Sequence, residues 1–168
     1  MIADKHSYAI DLSIPDSVIM GSYSAIGKNF TVVNKTDHPS IGDKKFVSNY
    51  PFNERMSISD YPKCSNNQAI IIGNDVWIGD NVTVLGGIVI GSGSIIGANS
   101  VVAKSIPQYA IVVGNPAKVK RMRFDDTVID KLMKIAWWNW DDETVLSRLE
   151  YMKDVNRFIE KYYKEIYA

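Results

Sequence analysis

Residues 72–107 read IGNDVW, IGDNVT, VLGGIV, IGSGSI, IGANSV and VAKSIP, six consecutive hexads. Each opens on an aliphatic residue (Ile72, Ile78, Val84, Ile90, Ile96, Val102), and in four of them glycine follows at once (Gly73, Gly79, Gly91, Gly97). Neither the period of a helix nor the alternation of a strand produces a strict repeat of six, so the stretch is a repeat architecture before any local propensity is consulted. Six residues make one short flat strand and a corner. The β-branched opener fills the interior, and the glycine beside it lets the chain turn without steric penalty. Three hexads close one triangular coil of a parallel β-helix.

On that geometry Ile72 stacks on Ile90, Ile78 on Ile96 and Val84 on Val102. The fifth hexad positions hold Val76, Val82, Ile88, Ser94, Ser100 and Ile106, aliphatic or small as a narrow prism interior requires. A second run of the same period opens on Ile14, Met20, Ile26 and Val32, out of phase with the first. Something therefore leaves the coil between them, over about residues 34–69, and long loops on a rigid repeat are where chemistry is expected. The excursion contains Asp37-His38-Pro39, Tyr50-Pro51-Phe52 and Tyr61-Pro62.

Beyond Pro107 the hexads stop, and Gly114-Asn115-Pro116 signals a turn away from the last coil. Lys118, Lys120, Arg121 and Arg123 follow, as a solvated basic strand over the prism end or as a phosphate-binding patch. From Asp125 the period becomes helical. Asp126 is the expected N-cap of a first helix, Asp141 or Asp142 of a second, and a third runs from Asp154 to Tyr167. Trp137, Trp138 and Trp140 sit at the junction as packing anchors. The expected organisation is a β-helix over 1–124 and a helical segment over 125–168.

Equal numbers of basic and acidic residues, 19 each, and a pI near 6.7 give no global field that favours nucleic acid or anionic membrane. No apolar run reaches membrane-spanning length, and the N-terminus carries no basic segment followed by an apolar core, so a cytoplasmic protein with no membrane insertion is expected. The single cysteine, Cys64, fits a reducing compartment.

With GNDVWIGDNVTVLGGIVIGSGSIIGANSVVAKSIPQYAIVVGNPAKVKRMRF, the loop Asp37-His38-Pro39 and the helical IAWWNW in view, the chain resembles the hexapeptide-repeat acyltransferases. The resemblance is to the branch of chloramphenicol and streptogramin (xenobiotic) acetyltransferases and related sugar O-acetyltransferases. It implies a left-handed β-helix, a homotrimer around the prism axis, active sites between subunits, and acetyl-CoA along the groove beside the C-terminal coils. Carried over by position, Trp77 and Asp80 lie beside the pantetheine arm, with Asp80 standing where a small neutral residue is common. Ala98 meets the pantetheine amides, Ala103 and Lys104 occupy the next rung, and Lys118 and Arg121 lie near the nucleotide phosphates.

The chemistry follows from general acid–base requirements. Moving an acetyl group from a thioester to a hydroxyl or amine needs a base for the acceptor proton, and imidazole titrates near the working pH. Of the two histidines, His6 precedes the first hexad and His38 lies in the excursion, so His38 is the expected catalytic base. Asp37, Glu54 and Asp60 are candidates to orient it. Asp37, Tyr50, Phe52 and Tyr61 are the expected acceptor-binding residues. Cys64 has no adjoining base, which favours direct transfer over an acyl-enzyme. No metal is expected, because a zinc site of the carbonic-anhydrase kind needs three histidines from two facing chains and only His38 is well placed. The chain begins almost at once with hexads, without the lead segment usual in xenobiotic acetyltransferases, which directs the expectation to a hydroxyl of a sugar or polysaccharide precursor. The alternatives are an antibiotic O-acetyltransferase and a non-catalytic trimeric scaffold.

Overall fold

A computed structural model describes residues 1–11, 14–33 and 69–167. Its strands are β1 (Ile2–Ala3), β2 (Tyr8–Ala9), β3 (Val18–Met20), β4 (Ala25–Ile26), β5 (Thr31–Val33), β6 (Ile70–Ile72), β7 (Trp77–Ile78), β8 (Thr83–Leu85), β9 (Val89–Ile90), β10 (Ile95–Ile96), β11 (Val101–Val102), β12 (Ala110–Val113) and β13 (Lys118–Met122). They form three sheets: β1-β3-β6-β9, β2-β4-β7-β10-β12-β13 and β5-β8-β11, called A, B and C below. Each turn of the chain visits A, then B, then C, and every pairing is parallel except that of β12 with β13.

The expected stacking is present residue for residue: Ile72 pairs with Ile90, Ile78 with Ile96 and Val84 with Val102. The out-of-phase run joins the same rungs, Met20 on Ile72, Ile26 on Ile78 and Val32 on Val84, so the prism is continuous across residues 34–69. Hexad openers and fifth positions line one interior, with Ile72, Ile78, Val84, Ile90, Ile96, Val102, Val76 and Val82 all buried. The three serines there are accommodated by bonding to backbone: Ser24 Oγ donates to the Gly73 carbonyl at 2.9 Å, Ser94 Oγ donates to the Gly91 carbonyl at 2.6 Å, and the Ser100 hydroxyl accepts the Gly114 N–H at 3.1 Å.

The coil is longer than the hexads indicate. β1 and β2 form a turn before Ile14, with Ala3 on Met20 and Ala9 on Ile26. At the other end Ile106 bridges to Ile90 and β12 stacks on β10, so the prism continues to Val113. Both end turns deviate from the six-residue period by a residue or two, which hides them from a strict repeat reading. The glycines that follow the openers also have a different purpose from the one expected. A Cβ on Gly73 would lie 2.6 Å from the Ser92 nitrogen, and one on Gly79 2.8 Å from the Ala98 nitrogen, so these positions are held to glycine by the coil above.

The left-handed backbone falls instead at the fourth hexad position. Asp75, Asn81 and Asn99 have φ of 54°, 57° and 59°, and Gly87 and Gly93 fill the intervening ones. The first run repeats the pattern with Tyr23 and Asn29.

The helices are α1 (Asp126–Ile135), α2 (Asp142–Met152) and α3 (Val155–Tyr167), with a 3-10 turn over Trp137–Asn139. Asp125, one residue before the expected Asp126, caps α1 by accepting from the Val128 N–H at 2.9 Å; Asp141 caps α2 through the Thr144 N–H at 2.8 Å. The tryptophans are packing anchors: Trp138 is buried, and Trp140 lies against Phe158 and Tyr162 under the Arg148 guanidinium.

Candidate active site

The prism has a covered edge and an open edge. Along the edge between sheets A and B the left-handed residues are His6, Tyr23, Asp75, Gly93 and Tyr109, tied coil to coil by bonds such as Tyr23 N–H to Lys5 O, Asp75 N–H to Ser22 O and Tyr109 N–H to Ser92 O. The C-terminal segment packs on that edge. The Trp137 ring lies 4.8 Å from that of Tyr23, Phe124 lies 5.8 Å from Tyr109, and His6 Nε2 donates to Asp142 Oδ1 at 2.8 Å. Lys5 Nζ donates to the Trp140 carbonyl. Between B and C the equivalent residues are Asn29, Asn81 and Asn99, all exposed.

On the outer face of sheet B, Trp77, Asp80 and Ala98 meet in one depression of about 230 Å³, with Tyr8, Ile10, Ala25 and Gly27 completing the lining. Trp77 is 54% exposed, because β7 buries Ile78 and the alternation of the strand turns the indole outward. Asp80 has a structural task besides: its Oδ1 accepts the Lys28 N–H at 2.8 Å, binding one coil to the next, as Asn74 does for the Ser22 N–H at 2.8 Å. Lys118 and Arg121 are exposed on β13 at the C-terminal border of the same sheet. Ala103 and Lys104 are not on that sheet. They lie on the turn after β11, exposed, at the edge of sheet C toward sheet A.

The chain departs on its excursion at that same edge: Val33, the last residue of β5, accepts the Gly86 N–H at 2.9 Å, and Ile70 resumes on sheet A. His38, Asp37, Tyr50, Phe52 and Tyr61, with Glu54, Asp60 and Cys64, lie outside the described residues. Among the described residues no group of three His, Cys, Asp or Glu could hold a metal ion. None of the described helices is long and apolar enough to cross a membrane.

Sequence reasoning passed over Tyr8 and Ile10, because they precede the first recognised hexad, and Arg123, whose place in a basic cluster hides its contacts. Its guanidinium donates to the Gly93 carbonyl at 2.7 Å and to Asp75 Oδ2 at 3.2 Å, and stacks over Tyr109 and Phe124. Burial pushes the Asp75 carboxyl above the usual carboxylate range, against the pull of Arg123.

Residues 69–104 match the family model described as bacterial transferase hexapeptide (six repeats). A probable macrolide acetyltransferase of Lysinibacillus sphaericus is 38% identical over 155 residues, which cover 87% of this chain and 81% of the relative. The chain belongs to the hexapeptide-repeat acetyltransferases. A chloramphenicol acetyltransferase of Agrobacterium fabrum (strain C58 / ATCC 33970) is 33% identical over 147 residues, covering 84% of this chain and 68% of that one. Among solved structures, a hexapeptide-repeat containing acetyltransferase from Vibrio cholerae O1 biovar eltor, complexed with acetyl coenzyme A, superposes with a TM-score of 0.51 at 27% identity. That match covers 73% of this chain and 60% of the other. As a member of these acetyltransferases the chain has the left-handed β-helix that the repeat implies.

Proposed function

We propose that the chain transfers the acetyl group of acetyl-CoA directly to a hydroxyl of a small acceptor, with His38 as general base. The observation that carries the reading is the Trp77 depression: an outward indole, an apolar floor and exposed cations on the border strand of one sheet suit a long thioester with an apolar arm and a phosphorylated end. Trp77, Asp80 and Ala98 would flank the pantetheine, Lys118 and Arg121 the phosphates, and Ala103 with Lys104 the rung at the neighbouring edge. His38 takes the acceptor proton as the oxygen attacks the thioester carbonyl. The C–S bond then breaks, and the imidazolium returns the proton to the departing thiolate. Asp37, Tyr50, Phe52 and Tyr61 are assigned to the acceptor.

A homotrimer belongs to the same reading. In its favour, Ile2, Ile19, Ile71 and Val89 stand in register and exposed along the outer face of sheet A, an apolar row that a second copy would cover.

Of the two acceptor classes, the names of the relatives favour an antibiotic hydroxyl over the sugar or polysaccharide precursor expected from the sequence. Thiol release from acetyl-CoA, followed across macrolides, chloramphenicol, a streptogramin, sugars and nucleotide-sugars, separates them. His38→Ala should lower turnover on the accepted substrate by ~100-fold or more while leaving CoA binding intact. Full activity of that variant would remove the assigned base, and failure to bind CoA by wild type would leave a scaffold.

A further inference from the structure

The basic strand β13 raises a question of register. It joins the prism through a single antiparallel partner, β12, and the pairing shifts between Ile111 and Val112. Lys118, Val119, Lys120 and Arg121 are all exposed, and only Met122, at the end of the strand and packed against both hydrophobic clusters, marks one face as inward. A strand with a single inward side chain, at its last residue, is weakly held against slippage along the rest of its length, and a slip of one residue exchanges the side chains presented on each side. Such a strand is fixed from its ends.

At the start, the Ala117 N–H donates to the Val101 carbonyl at 2.8 Å. At the finish stands Arg123, whose N–H donates to the Tyr109 carbonyl at 2.8 Å while its side chain reaches two further coils, Gly93 in one and Asp75 in the other. The four basic residues that look alike in the sequence therefore divide: three face solvent, and the fourth turns into the prism edge.

We propose that Arg123 is a positioning residue: clamped by Asp75 and the Gly93 carbonyl, it sets the register of β13 and so determines which cations of that strand meet the coenzyme phosphates. This rests on the proposed placement of Lys118 and Arg121 at those phosphates. The clamp is poorly suited to a purely stabilising task. Asp75 is half-buried and its carboxyl is raised by desolvation in spite of the adjacent guanidinium, so holding the pair ionised costs much of what the pair returns. What the pair does fix is geometry: the guanidinium is held between the Gly93 carbonyl and Asp75 Oδ2 and against the Tyr109 and Phe124 rings.

Calorimetric titration of CoA and of pantetheine, which lacks the nucleotide phosphates, provides the test on folded full-length chains. Arg123→Met should weaken CoA roughly tenfold and leave pantetheine unchanged, with the acetyl-CoA KM raised and kcat preserved. Arg123→Lys, which retains a cation opposite Asp75, should recover most of the loss. Should Arg123→Met fail to fold, Asp75→Asn keeps the side-chain volume and should show a smaller loss in the same direction. Wild-type CoA affinity in the folded Arg123 or Asp75 variant, alongside weakened binding in Lys118→Ala/Arg121→Ala, would overturn the clamp and leave the phosphate assignment standing. Wild-type CoA affinity in the Lys118→Ala/Arg121→Ala double variant would overturn both.

Discussion

Two edges of the same prism use the same backbone in opposite ways. Between sheets B and C the left-handed positions are asparagines, small enough for that conformation and open to solvent. Between A and B the same positions hold, besides Asp75, Gly93 and His6, the rings of Tyr23 and Tyr109, at φ of 58° and 56°, side chains for which left-handed backbone is unfavourable. The difference is made up by what covers them: Trp137 on Tyr23, Phe124 and Arg123 on Tyr109, Asp142 on His6. The Tyr109 hydroxyl, buried and close to Asp75, is held un-ionised well above its ordinary range. A repeat that is symmetric in its backbone is thus made asymmetric by side chains, with one edge covered by the helical segment and the edge between B and C exposed.

The largest effect is expected where both edges are equally intolerant. Gly79→Ala drives a methyl against backbone of the next coil, 2.8 Å from the Ala98 nitrogen, and should cost about 3 kcal/mol in denaturant unfolding. A methyl accepted there at no cost would mean the coils are less tightly stacked than they stand.

The next substitution separates the edges. Tyr23→Gly relieves the left-handed backbone but removes the ring packed between His6 and Trp137, for a net loss of about 2 kcal/mol. At the open edge Asn99→Gly should be close to neutral, whereas Asn99→Ala should lose about 1 kcal/mol, because alanine bears the left-handed penalty without asparagine's tolerance of it. Equal responses of Tyr23→Gly and Asn99→Gly would erase the distinction.

The smallest effects concern pH. A carboxyl whose folded-state pKa is raised contributes stability that is complete below its unfolded value and is lost as pH rises through the folded one. Melting temperature should therefore fall with rising pH across the window above the ordinary carboxylate value, and Asp75→Asn should flatten that part of the profile. Asp142 has the opposite sign. The His6 hydrogen bond holds it below the usual range, so its contribution is present above the unfolded value and disappears as pH falls through the folded one. Asp142→Asn should flatten the acid limb only, and less than Asp75→Asn does its own, since Asp142 lies at the surface.

Much of the prism was legible because a period of six leaves its mark at every rung. Aliphatic openers, small fifth positions and glycines at close approach are local demands repeated many times. One more signal lay in plain sight: Asp75, Asn81, Gly87, Gly93 and Asn99 occupy the fourth position of the first five hexads, and all are residue types that accept left-handed backbone. The end turns were hidden because they deviate from the period. Of the site, Trp77 could be placed outward from alternation, but its neighbours Tyr8 and Ile10 are some seventy residues distant in sequence and belong to a coil the repeat did not announce.

What the sequence determined by itself, then, is what recurs, the coil and its interior, together with the break in phase between the two runs and the change to a helical period near the C-terminus. What only the tertiary structure decided is which edge is covered, which cation of Lys118, Lys120, Arg121 and Arg123 turns inward, and which exposed residues share a groove. The physical reason is range. Repetition is specified by contacts between equivalent rungs, and so is written in the period, whereas the choice of edge depends on single contacts such as Arg123 with Asp75 and Trp137 with Tyr23, between residues 48 apart in the first case and farther in the second.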